Sequence, residues 1–281
     1  MSEPAARKQD ASVIAAFEQE FMRAFIWRKV IDRPAASRAL FIAAHADDVE
    51  FGCGGTLLRL LDAQAKVRQI VLTDGRLAAD KPEERDEMAR VRAEEAKSVA
   101  AHLMLPPPDL FAVPEGELAQ PEREAGLVLR LVAVLKQFRP DALFLPHFFD
   151  QHPDHRYANH LLALALRASG LDLAPITVYA YEAWSFVPPV LVVDVSDVMA
   201  EKIRLVSLYR SQTKLLAYLE LTDLLSRRRA SMAGPRATFA EFFQPFAAQA
   251  WLDRVDGLDL SSPQSLQLRV DATPLPGTPP P

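Results

Sequence analysis

The segment Ala43-Ala44-His45-Ala46-Asp47-Asp48-Val49-Glu50-Phe51-Gly52-Cys53-Gly54-Gly55 sets an imidazole and two adjacent carboxylates directly behind the apolar run Ala39-Leu40-Phe41-Ile42-Ala43. A second group, Asp150-Gln151-His152-Pro153-Asp154-His155, follows Ala142-Leu143-Phe144-Leu145-Pro146 in the same way. An apolar run ending in polar residues reads as a buried parallel strand that delivers side chains to the carboxyl edge of an α/β sheet, where such folds place their ligands. If both strands share one sheet, His45, Asp48 and His155 come within reach of one ion. Two imidazoles and a carboxylate that leave a position open suit a hydrolytic zinc site, because the open position holds the water to be acidified. The competing reading is two separate surface loops in which Asp47 and Asp48 cap a helix.

These clusters need a scaffold, and the middle of the chain supplies one by alternating strand-like and helix-like segments. Strands are expected near 38–44, 67–73, 109–113, 141–146, 176–181 and 190–195, with helices near 54–65, 83–103, 121–138 and 155–168. The pattern predicts an α/β, Rossmann-like, doubly wound and mostly parallel sheet with helices on both faces and a helical C-terminal elaboration. Residues 1–30 carry Val13, Ile14, Phe17, Phe21 and Phe25 near helical spacing and read as an amphipathic helix docking on the domain. The catalytic α/β domain is expected over 31–212 and the helical elaboration over 213–260. The proline-dense stretch 261–281 is expected to be a disordered tail.

With 281 residues and 49% hydrophobic content, the chain can bury a substantial core. Its 32 basic and 37 acidic residues give a formal charge of −5, and no basic block is long enough to track a phosphate backbone, which argues against nucleic acid as a partner. Cys53 is the single cysteine, a composition that suits a reducing compartment, so a cytoplasmic location is expected. No unbroken apolar stretch long enough for a membrane span is seen. Oligomeric state is not legible.

At His45-Ala46-Asp47-Asp48, followed by Gly52-Cys53-Gly54-Gly55-Thr56, the chain resembles the PIG-L/LmbE-like family of metal-dependent N-deacetylases. The second cluster matches that family's later signature, and Thr73-Asp74-Gly75, Arg92-x-x-Glu95, Lys202 and Ser211-Gln212 fall where its other motifs do. Three positions depart from the family's pattern: Ala46 stands where proline is usual, Arg76 where glutamate is frequent and Met104 where glycine is common.

The resemblance implies that His45, Asp48 and His155 hold zinc, with ferrous iron also compatible with such ligands. It assigns Asp47 as general base and later acid, and His152 as the group that stabilises the oxyanion, with Asp154 keeping that imidazole protonated and oriented. The alternative roles are helix capping for Asp47 and Asp154 and a backbone-bonded loop position for His152. Arg76 is read as a cation at the mouth of the site that could select substrates. Gly54 and Gly55 read as allowing close helix approach, Cys53 as packing, and Arg92 with Glu95 as an internal brace. Tyr181, Glu182 and Trp184 could line a sugar-sized pocket or simply pack the core or rim.

The function implied is removal of acetyl from an N-acetylated amino sugar or glycoconjugate, giving a free amine and acetate. An amidase acting on a larger acyl group or a thiol-conjugate amide is the alternative within enzymes. A sugar or nucleotide binding module of the same fold is the alternative outside them.

Overall fold

The computed structural model describes residues 28–256 together with 26, 258 and 260. The helix expected over 1–30 and the tail over 261–281 therefore lie outside the described residues, apart from the last positions of the former, where strand β1 (Lys29–Ile31) begins.

β1 is followed by seven further strands: β2 (Arg38–Ala43), β3 (Lys66–Thr73), β4 (Asp109–Val113), β5 (Ala142–Pro146), β6 (Thr177–Tyr181), β7 (Leu191–Asp194) and β8 (Ala240–Ala247). The spatial order is β1-β7-β8-β6-β5-β2-β3-β4. All pairings are parallel except those of β8, which runs antiparallel to both β6 and β7. The mostly parallel, Rossmann-like α/β architecture is thus present.

The connecting helices are α1 (Asp48–Asp62), α2 (Arg85–His102), α3 (Pro121–Phe138), α4 (Pro153–Ser169), α5 (Met199–Ser207), α6 (Arg210–Thr213), α7 (Tyr218–Ala230) and α8 (Ala248–Asp256). Local chemistry sets several of their ends. Pro121 and Pro153 each open a helix in its first turn, where the missing N–H has no intrahelical partner to lose. Gly170 closes α4 at φ 66°, a left-handed conformation that glycine adopts without penalty.

Alternating residues of one strand feed opposite faces of the sheet. Leu40 and Ile42 of β2 pack with Leu131, Leu161 and Trp251 beneath α3, α4 and α8. Ala39, Phe41 and Ala43 pack with Leu57, Val99 and Leu205 beneath α1, α2 and α5. Burial on both faces is why β2 and β5 read as unbroken apolar runs rather than alternating ones.

The stretch 213–260 holds α7 and α8, and between them β8 inserts into the sheet between β6 and β7. Pro245 obscures this strand in the sequence, since proline cannot donate to a ladder. The register shows why it is tolerated: β7 pairs with residues 240–243 of β8, so Pro245 lies past the end of that pairing and faces only β6, opposite Tyr179. Residues beyond 212 therefore complete the same sheet instead of forming a separate layer.

Candidate active site

From β2 the chain moves to β3 and β4 on one side, then returns across the sheet to β5 on the other. The β2/β5 boundary is the topological switch point, where the loops leaving neighbouring strands part and open a crevice. The His45 loop leaves β2 there and the Asp150–His155 loop leaves β5. The two-loop surface reading is thereby excluded, because His45, His152 and His155 can each bring a ring nitrogen within 4.8 Å of the others.

Asp48 joins this cluster. Its Oδ1 lies 3.1 Å from His155 Nε2, and its Oδ2 lies 3.5 Å from His45 Nδ1. The same Oδ2 accepts the His45 backbone N–H at 2.8 Å, fixing the loop around the carboxylate. On the opposite edge of the His45 ring, Nε2 lies 3.3 Å from Glu115 Oε1 and 3.5 Å from Asp154 Oδ2. Burial alone would raise the carboxyl of Asp48, but the imidazoles of His155 and His45 hold it well below the usual carboxylate range. Burial likewise opposes ionisation of Glu115, yet His45 prevails and holds it down at about 2.

His45 Nε2 is buried and makes no hydrogen bond, although carboxylates face it. A buried group of imidazole nitrogens opposed by carboxylate oxygens suits a divalent cation, which satisfies both at once. His45 and His152 belong to two groups that could hold such an ion, one with His155 and one with Glu115 and Asp154, and Asp48 adjoins the first through His45 and His155.

Behind this group, the carboxylate of Asp150 is fully buried. Its Oδ1 lies 3.1 Å from His155 Nδ1 and accepts the His152 backbone N–H at 2.9 Å, while its Oδ2 accepts the backbone N–H of Trp184 at 2.9 Å. A carboxylate behind an imidazole fixes its tautomer and aim, leaving Nε2 of His155 for the cluster.

His152 caps α4: its Nδ1 accepts the Asp154 backbone N–H at 3.2 Å. A neutral imidazole that accepts at Nδ1 carries its proton on Nε2. The expected service of Asp154 to this ring takes a different form here. Its carboxylate is directed at His45 Nε2 and, at 3.4 Å, at the Gly116 N–H, and its backbone is what orients His152. Burial, then the neighbouring His45 and His155, push His152 down to about 4, with the Asp154 carboxylate pulling the other way.

Asp47 stands at the N-cap position of α1 without capping it. Its Oδ1 accepts Arg92 Nη2 at 2.5 Å and its Oδ2 accepts the Tyr218 hydroxyl at 2.8 Å. The glycine of Thr73-Asp74-Gly75 makes room for this contact, since a Cβ on Gly75 would lie 2.4 Å from Arg92 Nε. Arg92 and Glu95 do not brace each other. Glu95 instead accepts the backbone N–H and hydroxyl of Ser211 at 2.8 and 2.6 Å. That anchor holds the turn from which the Tyr209 hydroxyl reaches Ala46 O at 2.6 Å and Glu50 Oε2 at 2.9 Å.

α1 is kinked at Cys53, which frees N–H groups in mid-helix. Buried Glu241 of β8 accepts them from Gly55 and Thr56, each at 2.8 Å, and Lys202 balances its charge at 2.6 Å. A Cβ on Gly55 would come within 2.6 Å of Val195, and one on Gly52 within 2.6 Å of Tyr181, so these glycines set how closely α1 approaches the sheet.

The Arg76 guanidinium pairs with Asp74 at 2.7 Å and Asp86 at 3.3 Å instead of reaching into the His cluster. It borders a cavity of about 300 Å³ whose wall also includes Ala46, Ala89, Arg92 and Ala112. Ala46, which stands where proline is usual in the resembled family, thus faces open space. Tyr181 and Glu182 are buried, Glu182 against Arg228 and Arg229, whereas Trp184 is 41% exposed.

Glu115, Tyr218 and Tyr209 escape sequence reasoning. Glu115 and Tyr218 stand outside any recognisable cluster, and only β4 pairing and the packing of α7 bring them in. Tyr209, two residues before Ser211, could have been sought as a part of that motif.

Residues 40–166 match the sequence profile of the family described as PIG-L, GlcNAc-PI de-N-acetylase. The chain is 32% identical over 190 residues to diacetylchitobiose deacetylase of Thermococcus kodakarensis, covering 62% of this chain and 70% of that protein. The N,N'-diacetylchitobiose deacetylase of Pyrococcus horikoshii superposes with a TM-score of 0.64 at 19% identity, over 89% of this chain and 95% of that one. GalB, a 4-carboxy-2-hydroxymuconate hydratase from Pseudomonas putida, superposes with a TM-score of 0.61 at 20% identity, over 76% and 96% of the two chains. These two superpositions speak for a shared fold, and the hydratase shows that the fold alone does not choose the reaction. With its two signature loops joined at one switch point and a curated relative matched over most of its length, the chain belongs to the PIG-L de-N-acetylase family.

Proposed function

We propose that this protein is a zinc-dependent hydrolase that removes acetyl from an N-acetylated amino sugar or its glycoconjugate. The observation that carries this reading is the convergence of His45, Asp48 and His155 beside an Asp47 whose carboxylate is held from both sides. The names of the relatives, which act on an acetylated sugar, support the substrate class.

In this reading His45, Asp48 and His155 hold the ion, with zinc favoured because the reaction needs no redox change and ferrous iron as the other cation this donor set accepts. The ion supplies Lewis acidity toward the amide carbonyl and lowers the pKa of a water.

Asp47 takes the proton of the attacking water and returns it to the departing amine. Arg92 and Tyr218 keep its two oxygens in place while it does so, and both partners are themselves buried. His152 needs no positive charge for its role: with Nδ1 engaged by Asp154, its Nε2–H is the donor presented to the oxyanion that develops on the carbonyl. Asp154 and Glu115 steady the His45 ring, and Asp150 steadies His155. Arg76, tied to Asp74 and Asp86, acts at most at the outer edge of the substrate's approach.

The test is a free-amine assay of zinc-loaded, iron-loaded and chelated protein on a panel of N-acyl sugars, longer N-acyl analogues and thiol-conjugate amides. Zinc-dependent release of acetate from an N-acetylated sugar is expected. Binding of sugar without turnover in any metal form would favour a non-catalytic module.

A further inference from the structure

We infer that the exposed face of Trp184 is a stacking subsite for a second pyranose ring, next to the ring that carries the acetamide. This rests on the reading of the site as an amino-sugar deacetylase and extends it to a substrate of at least two sugars.

The indole is built into the catalytic scaffold from two directions. Through the backbone, Trp184 N–H donates to Asp150 Oδ2 at 2.9 Å, and the other oxygen of that carboxylate lies 3.1 Å from His155 Nδ1. The adjacent Ser185 hydroxyl accepts the Gln151 N–H at 2.8 Å, so the Trp184 loop and the His152 loop are joined twice. Through the side chain, the indole stacks on Phe51 at 5.0 Å between centroids and 25° between planes. Phe51 in turn stacks on Tyr218 at 4.8 Å and 12°, and the Tyr218 hydroxyl bonds Asp47. Phe51 and Tyr218 are buried, yet Trp184 is 41% exposed.

A large aromatic ring packed on Phe51 and Tyr218 and still 41% exposed offers a rigid apolar surface to a ligand. Three features favour a sugar. The ring is tied to the loop that carries His152 and His155, so whatever covers it is held beside the reacting centre. Its surroundings mix polar and apolar groups: Gln151 is exposed and Ser185 half-buried, while Phe186 on the same loop is 65% exposed with the Arg228 guanidinium 4.4 Å from its centroid. A pyranose matches this pattern, since it offers an apolar face of C–H bonds to the indole and hydroxyls around its edge to a polar rim. Preorganisation adds to this, because the indole loses little freedom when it is covered.

The test compares kcat and KM of wild type, Trp184→Ala and Trp184→Phe on an N-acetylated disaccharide and on the N-acetylated monosaccharide, with far-UV circular dichroism and bound metal as folding controls. Trp184→Ala is expected to raise KM for the disaccharide about tenfold, the scale of one lost apolar contact, and to shrink its advantage over the monosaccharide. Trp184→Phe should recover part of that advantage.

An unchanged disaccharide preference in folded, metal-loaded Trp184→Ala would overturn the subsite while leaving the deacetylase reading intact. Binding is read separately by titrating a non-acetylated glucosamine disaccharide while following the difference in emission between wild type and Trp184→Phe. A saturable shift in that difference supports the subsite even if no acetylated sugar is turned over, and its absence at millimolar disaccharide counts against it.

Discussion

Arg92 Nη2 lies 2.5 Å from Asp47 Oδ1, and both side chains are buried. The pair joins α2 to the loop after β2 and determines where the carboxylate points. Asp47 and Asp48 are thereby given different surroundings although adjacent in sequence: one faces Arg92 and Tyr218, the other the imidazoles of His45 and His155.

That difference is measurable. Asp48→Ala should lose most of its bound metal, whereas Asp47→Asn should retain metal and fall in kcat by about 10²–10⁴-fold, the usual contribution of a general base. Metal content by atomic emission and steady-state turnover decide it. Metal-replete Asp47→Asn with wild-type turnover would remove Asp47 from the mechanism.

The second contrast uses two buried histidines near the same strand end. His155→Ala should lose metal and activity together. His147→Ala should keep the metal, because His147 Nε2 is occupied 2.7 Å from Gln244 Oε1, away from the cluster. Equal metal retention by the two variants would reject His155 as a ligand.

Glu50 supplies a pH-dependent prediction. Burial raises its carboxyl from 4.5 to about 7, so between these values the native state holds a proton that the unfolded chain has released. Stability from this group is therefore fully present below about pH 4.5 and is lost as pH rises through about 7. Glu50→Gln should stabilise the protein relative to wild type above pH 7 and change little below pH 4.5. Melting temperatures of both proteins across that range test it, and a difference independent of pH would exclude the effect.

The buried pair Lys202 and Glu241 should be strongly asymmetric to mutation. Lys202→Met leaves the Glu241 charge without its cation and should cost about 3–5 kcal/mol in urea unfolding. Adding Glu241→Gln should recover part of that loss, since the amide oxygen can still accept from Gly55 or Thr56. Additive losses in the double variant would show that the two side chains act independently.

The strand-and-helix alternation and the two signature loops were legible in the chain because they rest on local chemistry: apolar runs buried on two faces, prolines opening α3 and α4, and polar residues placed directly after β2 and β5. Their order already implied that His45, Asp48 and His155 would meet, since neighbouring parallel strands deliver their loops to the same edge. What local pattern could not carry was the company these residues keep. Glu115 reaches His45 only because β4 ends at the same rim, and Tyr218 reaches Asp47 only because the start of α7 packs its ring on Phe51 of α1. β8 was hidden by Pro245, whose cost depends on which neighbour the strand lacks at that point. Arg76 looked free in sequence and is engaged by Asp74 and Asp86 in space. Residue type and spacing determine which groups could do chemistry, whereas the partners that aim, charge or neutralise each group come from distant segments and are decided only when the sheet closes around β8.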